Sequence, residues 1–116
     1  MDLNGKVAIV TGGSGVLGGL ICHALAKAGC NIAVLYNDNR TRGESTSGEL
    51  VESGVDSEPI HCDVTDTDQV RSTVSNVLDR FGRVDILIND AAYNKWIAFD
   101  DIDGLTFDYW NKIISV

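Results

Sequence analysis

Apolar residues in this chain fall alternately into short unbroken runs and into stretches where they recur every three or four positions. That alternation predicts strands joined by helices. Val7 to Val10 form a β-branched and apolar run of the kind a parallel strand shows when both its faces are covered. From Val16 the period changes, and Val16, Leu20, Ile21, Ala24, Leu25 and Ala28 fall on one stripe, predicting a helix that buries that stripe. Asn31 to Tyr36 read as a second strand around Ile32, Ala33, Val34 and Leu35. The polar stretch Asn37 to Gly43 reads as a loop, and Leu50 and Val51 give a following helix its apolar edge up to Ser53. Ser57 to His61 is a short third strand. Asp66 with Gln69 has the spacing of a capping box, and Val70, Val74, Val77, Leu78 and Phe81 line the helix behind it until Gly82. Val84 to Asn89 is a fourth strand, with Ile86, Leu87 and Ile88 expected to be buried.

The predicted order is therefore βαβαβαβ, which implies an α/β Rossmann fold: a doubly wound parallel sheet with strand order 3-2-1-4. Beyond Asn89, a connection carrying Tyr93, Trp96 and Phe99 leads to Thr106, which reads as the N-cap of a last helix containing Phe107, Trp110, Ile113 and Ile114. That apolar stripe is still running at Val116, and the fourth strand is too apolar to stand as an open edge. Residues 1–116 are thus expected to form one domain that continues into a longer protein or needs a partner.

Composition narrows the function classes. The chain has 116 residues, 44% of them hydrophobic and 22% charged, which suits a single globular unit. A formal net charge of −8 leaves no basic face for a nucleic-acid backbone, so any bound phosphate must be held by local amides. No apolar run approaches membrane-spanning length, and no basic segment leads into an apolar one near Met1, so neither a membrane partner nor a targeting segment is predicted. Cys22, Cys30 and Cys62 are odd in number and lack metal-type spacing. They read as reduced thiols in a cytoplasmic protein with no metal site.

The chemistry concentrates between the first strand and the first helix, where Gly12, Gly13, Gly15 and Gly18 follow Thr11. A helix starting here offers unpaired N–H groups and the positive end of its dipole, and glycines remove the Cβ atoms that would keep a phosphate away. The alternative is an ordinary βα turn that tolerates glycine. Three segments together, Thr11-Gly12-Gly13-Ser14-Gly15-Val16-Leu17-Gly18, Cys62-Asp63-Val64 and Asp85-Ile86-Leu87-Ile88-Asn89-Asp90-Ala91-Ala92, resemble the cofactor half of the short-chain dehydrogenase/reductases, nearest the 3-oxoacyl-carrier-protein reductase and sugar dehydrogenase type.

The resemblance implies an NAD(P)-dependent oxidoreductase that moves a hydride between nicotinamide and a small carbonyl or alcohol substrate, and that is a homo-oligomer when complete. It implies that Gly12, Gly15 and Gly18 belong to the cofactor turn, with Gly18 and Gly19 inside the helix serving close packing on the strand, that amides around Ser14, Val16 and Leu17 hold the pyrophosphate, that Asp63 and Val64 meet the adenine, and that Asn89 and Ala91 line the ribose. Two departures stand out. The family's usual glycine is Val16 here, and its Asn-Asn-Ala-Gly appears as Asn89-Asp90-Ala91-Ala92.

The family's NAD-selecting acid at the end of the second strand is replaced by Tyr36 and Asn37, with Arg40 and Arg42 near enough in sequence to meet a phosphate. That favours NADP(H), with NAD(H) as the alternative, since Asp38 acts in the opposite sense. The family's catalytic tyrosine, with a lysine four residues on, has no counterpart: Tyr36, Tyr93 and Tyr109 are followed at that spacing by Arg40, Ile97 and Ile113. No catalytic residue is therefore predicted in this stretch, and alone it is expected to bind cofactor without turnover. A stand-alone, non-catalytic nucleotide-binding or interaction module is the alternative.

Overall fold

A computed structural model describes residues 2–91. Seven elements follow one another: β1 (Val7–Thr11), α1 (Val16–Lys27), β2 (Asn31–Tyr36), α2 (Arg40–Glu52), β3 (Ser57–His61), α3 (Thr67–Phe81) and β4 (Ile86–Asn89). The strands form one parallel sheet in the order β3-β2-β1-β4, as the sequence pattern predicts. Val10 pairs with Val34 on one side and with Ile88 on the other, so β1 lies inside the sheet and is buried throughout. On one face Ala8, Val10, Ile32 and Val34 pack with Cys22 and Ala26 of α1 and Leu50 of α2. On the other, Val7, Ile9, Ala33 and Leu35 pack with Cys62 and with Val77 of α3.

Several expectations about which residues are buried need correction. The predicted stripe of α1 is not its core face: Val16 is 70% and Leu20 64% exposed, while Gly18, Cys22 and Ala26 form the buried row. The reason is distance. A Cβ on Gly18 would run into the carbonyl oxygen of Gly12, so α1 lies too close to the turn and sheet for large side chains on that row. A Cβ on Gly19, by contrast, would meet only the Gly13 carbonyl oxygen, at an ordinary contact distance of 4.0 Å.

The segment read as a loop from Asn37 to Gly43 becomes helical at Arg40. Asn39 is the N-cap, its Oδ1 accepting from the Arg42 amide at 3.0 Å. The inward side of α2 is built from Gly43, Thr46, Ser47 and Leu50. A Cβ on Gly43 would come within 2.7 Å of the Tyr36 ring, and the Ser47 hydroxyl donates to that of Ser57 at 2.8 Å inside the protein.

The cap of α3 forms as expected, with a variation. Asp66 Oδ1 accepts from the amides of Asp68 and Gln69, and Gln69 Nε2 returns a bond to Asp66 Oδ2 at 3.0 Å. The Gln69 oxygen then accepts from the Asp63 amide at 2.9 Å, which fixes the chain leaving β3. Val70, Val74 and Leu78 are exposed, whereas Thr73 and Val77 are buried. In β4, Ile86 and Ile88 are half-buried but Leu87 is 57% exposed, because β4 is the last strand of the described sheet. The segment from Ala92 to Val116, including Tyr93, Trp96, Phe99 and the helix expected from Thr106, lies outside the described residues.

At the amino ends of the strands the polar groups are tied together. Asp85 Oδ2 accepts from the Val7 amide at 2.9 Å, and the Arg83 guanidinium grips the same carboxylate with two bonds of 2.7 Å. Asn31 Oδ1 accepts from the Asp56 amide, and Asp56 receives a two-pronged bond from Arg80 at 2.6 and 2.7 Å.

Candidate functional site

All four strands point their carboxyl ends into one cleft of about 660 Å³. The turn after β1 contributes Gly12, Ser14, Gly15, Val16 and Leu17, the end of β2 contributes Leu35 to Asn39, the end of β3 Cys62 to Thr65, and the end of β4 Asp90 and Ala91. A crevice at the carboxyl ends, where the chain order reverses on either side of the first strand, is where open parallel sheets bind ligands.

The floor is fixed by Thr11. Its buried hydroxyl donates to the Ile88 carbonyl at 3.3 Å and accepts from the amides of Asp90 and Ala91 at 3.0 and 3.1 Å, fastening β1 to the loop after β4. Gly12 then turns the chain with φ +67°, and a Cβ there would lie 2.9 Å from the Cα and N of Ala91. Both features require glycine.

Beyond Gly12 the amides divide into two groups. Gly13 donates to the Leu35 carbonyl at 3.1 Å and Gly15 to that of Gly12 at 3.0 Å, so these two hold the turn in shape. The amides of Ser14, Val16 and Leu17 have no acceptor among the described residues. Val16 and Leu17 open the first turn of α1, which holds no acidic residue, Ser14 lies just ahead of its N-cap Gly15, and all three residues line the cleft. Such a cradle fits a diphosphate.

Across the cleft, Asp63 makes a tight local turn. Its Oδ1 accepts from the Thr65 amide at 2.9 Å and the Thr65 hydroxyl at 2.7 Å. With its amide held by Gln69, the residue is anchored at both ends while Val64 lies beside it on the wall. Tyr36 is buried against α2 and against the His61 ring, with centroids 5.6 Å apart, and Asn37 is exposed at the rim.

Of the residues proposed from sequence, Gly12, Ser14, Gly15, Val16, Leu17, Tyr36, Asn37, Asp63, Val64 and Ala91 meet in this one cleft. Gly18, Asn89, Arg40 and Arg42 do not line it. Gly18 lies beneath the turn as a packing residue, and Asn89 pairs with Thr11 at the end of β4 and is exposed. Arg40 starts α2 and donates to Glu44 Oε1 at 2.8 Å, while Arg42 faces a separate groove between α1 and α2. Sequence reasoning missed Thr11 as the clamp, and Asn39, Thr65 and Asp90 as lining residues, whereas Asp38, weighed for cofactor choice, does line the cleft. The Asp63-Val64-Thr65 spacing carried a turn signal for Thr65, but nothing local marked Thr11.

Burial disfavours the thiolate forms of Cys22 and Cys30. Burial, with the nearby Asp90 charge adding to it, pushes the Cys22 thiol up to about 12, and burial also raises that of Cys30. His23 pairs with Glu49 at 2.9 Å on the surface between α1 and α2. Among the described residues no cluster of His, Cys, Asp and Glu is arranged to hold a metal, and no helix is long and apolar enough to cross a membrane.

The family model for short chain dehydrogenases matches residues 6–116. The chain belongs to the short-chain dehydrogenase family. A short-chain dehydrogenase/reductase of Colletotrichum higginsianum is 38% identical over 114 residues, which cover 98% of this chain and 41% of the relative. A crystal structure of a Burkholderia cenocepacia short-chain dehydrogenase in complex with NADP matches at TM-score 0.86 and 33% identity, covering 100% of this chain and 46% of that one. An NAD+-bound xylitol dehydrogenase matches at TM-score 0.88 and 34% identity, covering 100% and 44%. This short-chain dehydrogenase chain thus spans about two fifths of the length of the first curated relatives it matches. A Bacillus subtilis homologue differs in that 99% of its length is covered, at 32% identity.

Proposed function

We propose that this chain is the cofactor-binding part of an NAD(P)-dependent oxidoreductase acting on a small carbonyl or alcohol substrate. The observation that carries the reading is the set of unpartnered amides of Ser14, Val16 and Leu17 at the mouth of a cleft whose floor accepts no Cβ at Gly12. These amides would hold the diphosphate, Asp63 would accept from the adenine amino group beside Val64, and Tyr36 with Asn37 would face the adenosine ribose. When bound, the nicotinamide supplies or accepts the hydride. The chain's own share is to orient the dinucleotide and to exclude water from the cleft floor.

We assign NADP(H) as the preferred form, with NAD(H) second. Tyr36 and Asn37 stand where a carboxylate would repel a 2′-phosphate, and one solved relative carries NADP while another carries NAD+. Arg40 supports that preference less than its position in the sequence suggests, since Glu44 holds its guanidinium. Residues 1–116 act in this reading as one dinucleotide-binding unit, located in the cytoplasm, where buried thiols such as Cys22 and Cys30 stay reduced, and the complete protein is a homo-oligomer. A second reading, a self-standing nucleotide-binding module, is favoured by the Bacillus subtilis homologue, which this chain covers almost from end to end.

Titration of the 116-residue chain with NADPH and NADH, followed by nicotinamide fluorescence, tests the first claim. Saturable binding of both, tighter for NADPH, is expected. Absence of binding by either cofactor overturns the assignment. Turnover of carbonyl substrates by this chain alone would overturn its proposed restriction to cofactor binding.

A further inference from the structure

Among the described residues three carboxylates line the cleft, Asp38, Asp63 and Asp90, and no lysine or arginine does. They are not equivalent. Strand order reverses at β1, with β2 and β3 on one side and β4 on the other. Asp38 follows β2 and Asp63 follows β3, whereas Asp90 follows β4, across the glycine turn. A dinucleotide whose diphosphate rests on the first turn of α1 must extend one nucleoside over β2 and β3 and the other over β4. With adenosine on the Asp63 side, the nicotinamide half falls on the side of Asp90.

The two oxidation states of the cofactor differ in charge only at that ring, which is positive when oxidised and neutral when reduced. A carboxylate on the β4 side therefore discriminates between them, and carboxylates on the adenosine side do not. Asp90 is suited to the task because its position is fixed. Its amide and that of Ala91 both donate to the buried Thr11 hydroxyl, and the residue is half-buried, which limits screening by solvent and salt. Its charge reaches across to Cys22, whose sulfur lies under the glycine turn, 3.6 Å from where a Gly13 Cβ would be.

We propose that Asp90 sets the preference of this cleft for the oxidised over the reduced nicotinamide, an inference that rests on the dinucleotide reading above. A unit charge at the separations found within one cleft favours the oxidised form by about three- to ten-fold. Tighter hold on that form makes the bound pair a stronger hydride donor, so the charge favours carbonyl reduction over alcohol oxidation.

The test is the ratio of dissociation constants for NADP+ and NADPH, measured by calorimetry on the wild-type chain and on three variants whose folding is checked by thermal melts. Asp90→Asn is expected to raise the ratio of NADP+ to NADPH dissociation constants by about three- to ten-fold. Asp90→Glu, which keeps the charge, retains the wild-type ratio. Asp63→Asn weakens both forms by the same factor. An Asp90→Asn ratio equal to wild type, with both cofactors still bound, overturns the role of Asp90 and leaves the dinucleotide reading standing. Failure of the wild-type chain to bind either form removes that reading and this inference together.

Discussion

The two ends of the sheet use their polar groups in opposite ways. At the amino ends, the Asp85 carboxylate serves the Val7 amide and Arg83 together, Asn31 serves Asp56, and Arg80 closes on Asp56 with two bonds. At the carboxyl ends, among the described residues, the amides of Ser14, Val16 and Leu17 are left without acceptors and three carboxylates line a cavity with no basic side chain. Donors are cheap to satisfy with side chains, as the Asp66 cap of α3 demonstrates, so leaving those of α1 open is a property of the site rather than of helix starts in this fold. One end fastens the sheet; the other leaves donors open, as the proposed dinucleotide site requires. Substitutions should therefore separate into those that remove binding and those that remove stability.

The largest expected effect is at Gly12. A valine there needs a left-handed backbone that β-branched residues avoid, and its Cβ would press on Ala91 at 2.9 Å, filling the floor beneath the diphosphate. Gly12→Val is expected to weaken NADPH by about 100-fold, roughly 2.7 kcal/mol, while the circular dichroism of the four-strand sheet persists. An unchanged affinity would mean that the turn is not the phosphate cradle. Next comes Asp63→Ala, expected to cost about ten-fold for NADPH and NADP+ alike, the scale of one charged hydrogen bond. Thr65→Ala keeps the carboxylate but frees it from its turn, so about a two- to three-fold loss is expected there. Should Thr65→Ala cost as much as Asp63→Ala, the aspartate acts only by shaping the loop.

How far the sequence foretold this division depends on the size of the residues involved. The strands were legible because Val7 to Val10 and Ile32 to Leu35 are large, apolar and contiguous, and their order followed from alternation with helices. The glycine turn was legible because close approach needs residues without a side chain. The helix faces were not, since small residues carry little periodic signal. In α1 the packing row is Gly18, Cys22 and Ala26, while Val16 and Leu20, equally well spaced, point outward. In α2 the buried positions include Thr46 and Ser47, and the Ser47 hydroxyl finds its partner in Ser57, on a strand ten residues on. The polar run Asn37 to Gly43 reads as loop on hydrophobicity, although its last four residues already belong to α2. Arg40 was assigned to the site by proximity in sequence, but one helical turn places Glu44 beside it, and the ion pair decides where its guanidinium goes.

The smallest effect sharpens the comparison from the stability side, and its sign follows from the two aspartates at the amino ends. The Arg83 fork holds the Asp85 carboxyl below the usual carboxylate range, and the Arg80 fork does the same for Asp56. In the unfolded chain both take up a proton near the ordinary value of about 4. Above that value both states are ionised and the pairs contribute fully. As pH falls through it, the unfolded chain is protonated first, so stability declines until the lowered native values are passed and the contribution is gone. The thermal midpoint should therefore be flat from neutral pH to about 5 and fall below it, modestly, because both pairs stand largely in solvent. Asp85→Asn keeps an acceptor for the Val7 amide but no charge for Arg83. It is expected to lower the midpoint slightly at neutral pH, to make the acid slope shallower, and to leave NADPH affinity at the wild-type value. An acid slope as steep as that of the wild type would remove Asp85 from the account. A loss of NADPH affinity in the folded variant would show that the two ends of the sheet are not independent, and that what fastens one also shapes the other.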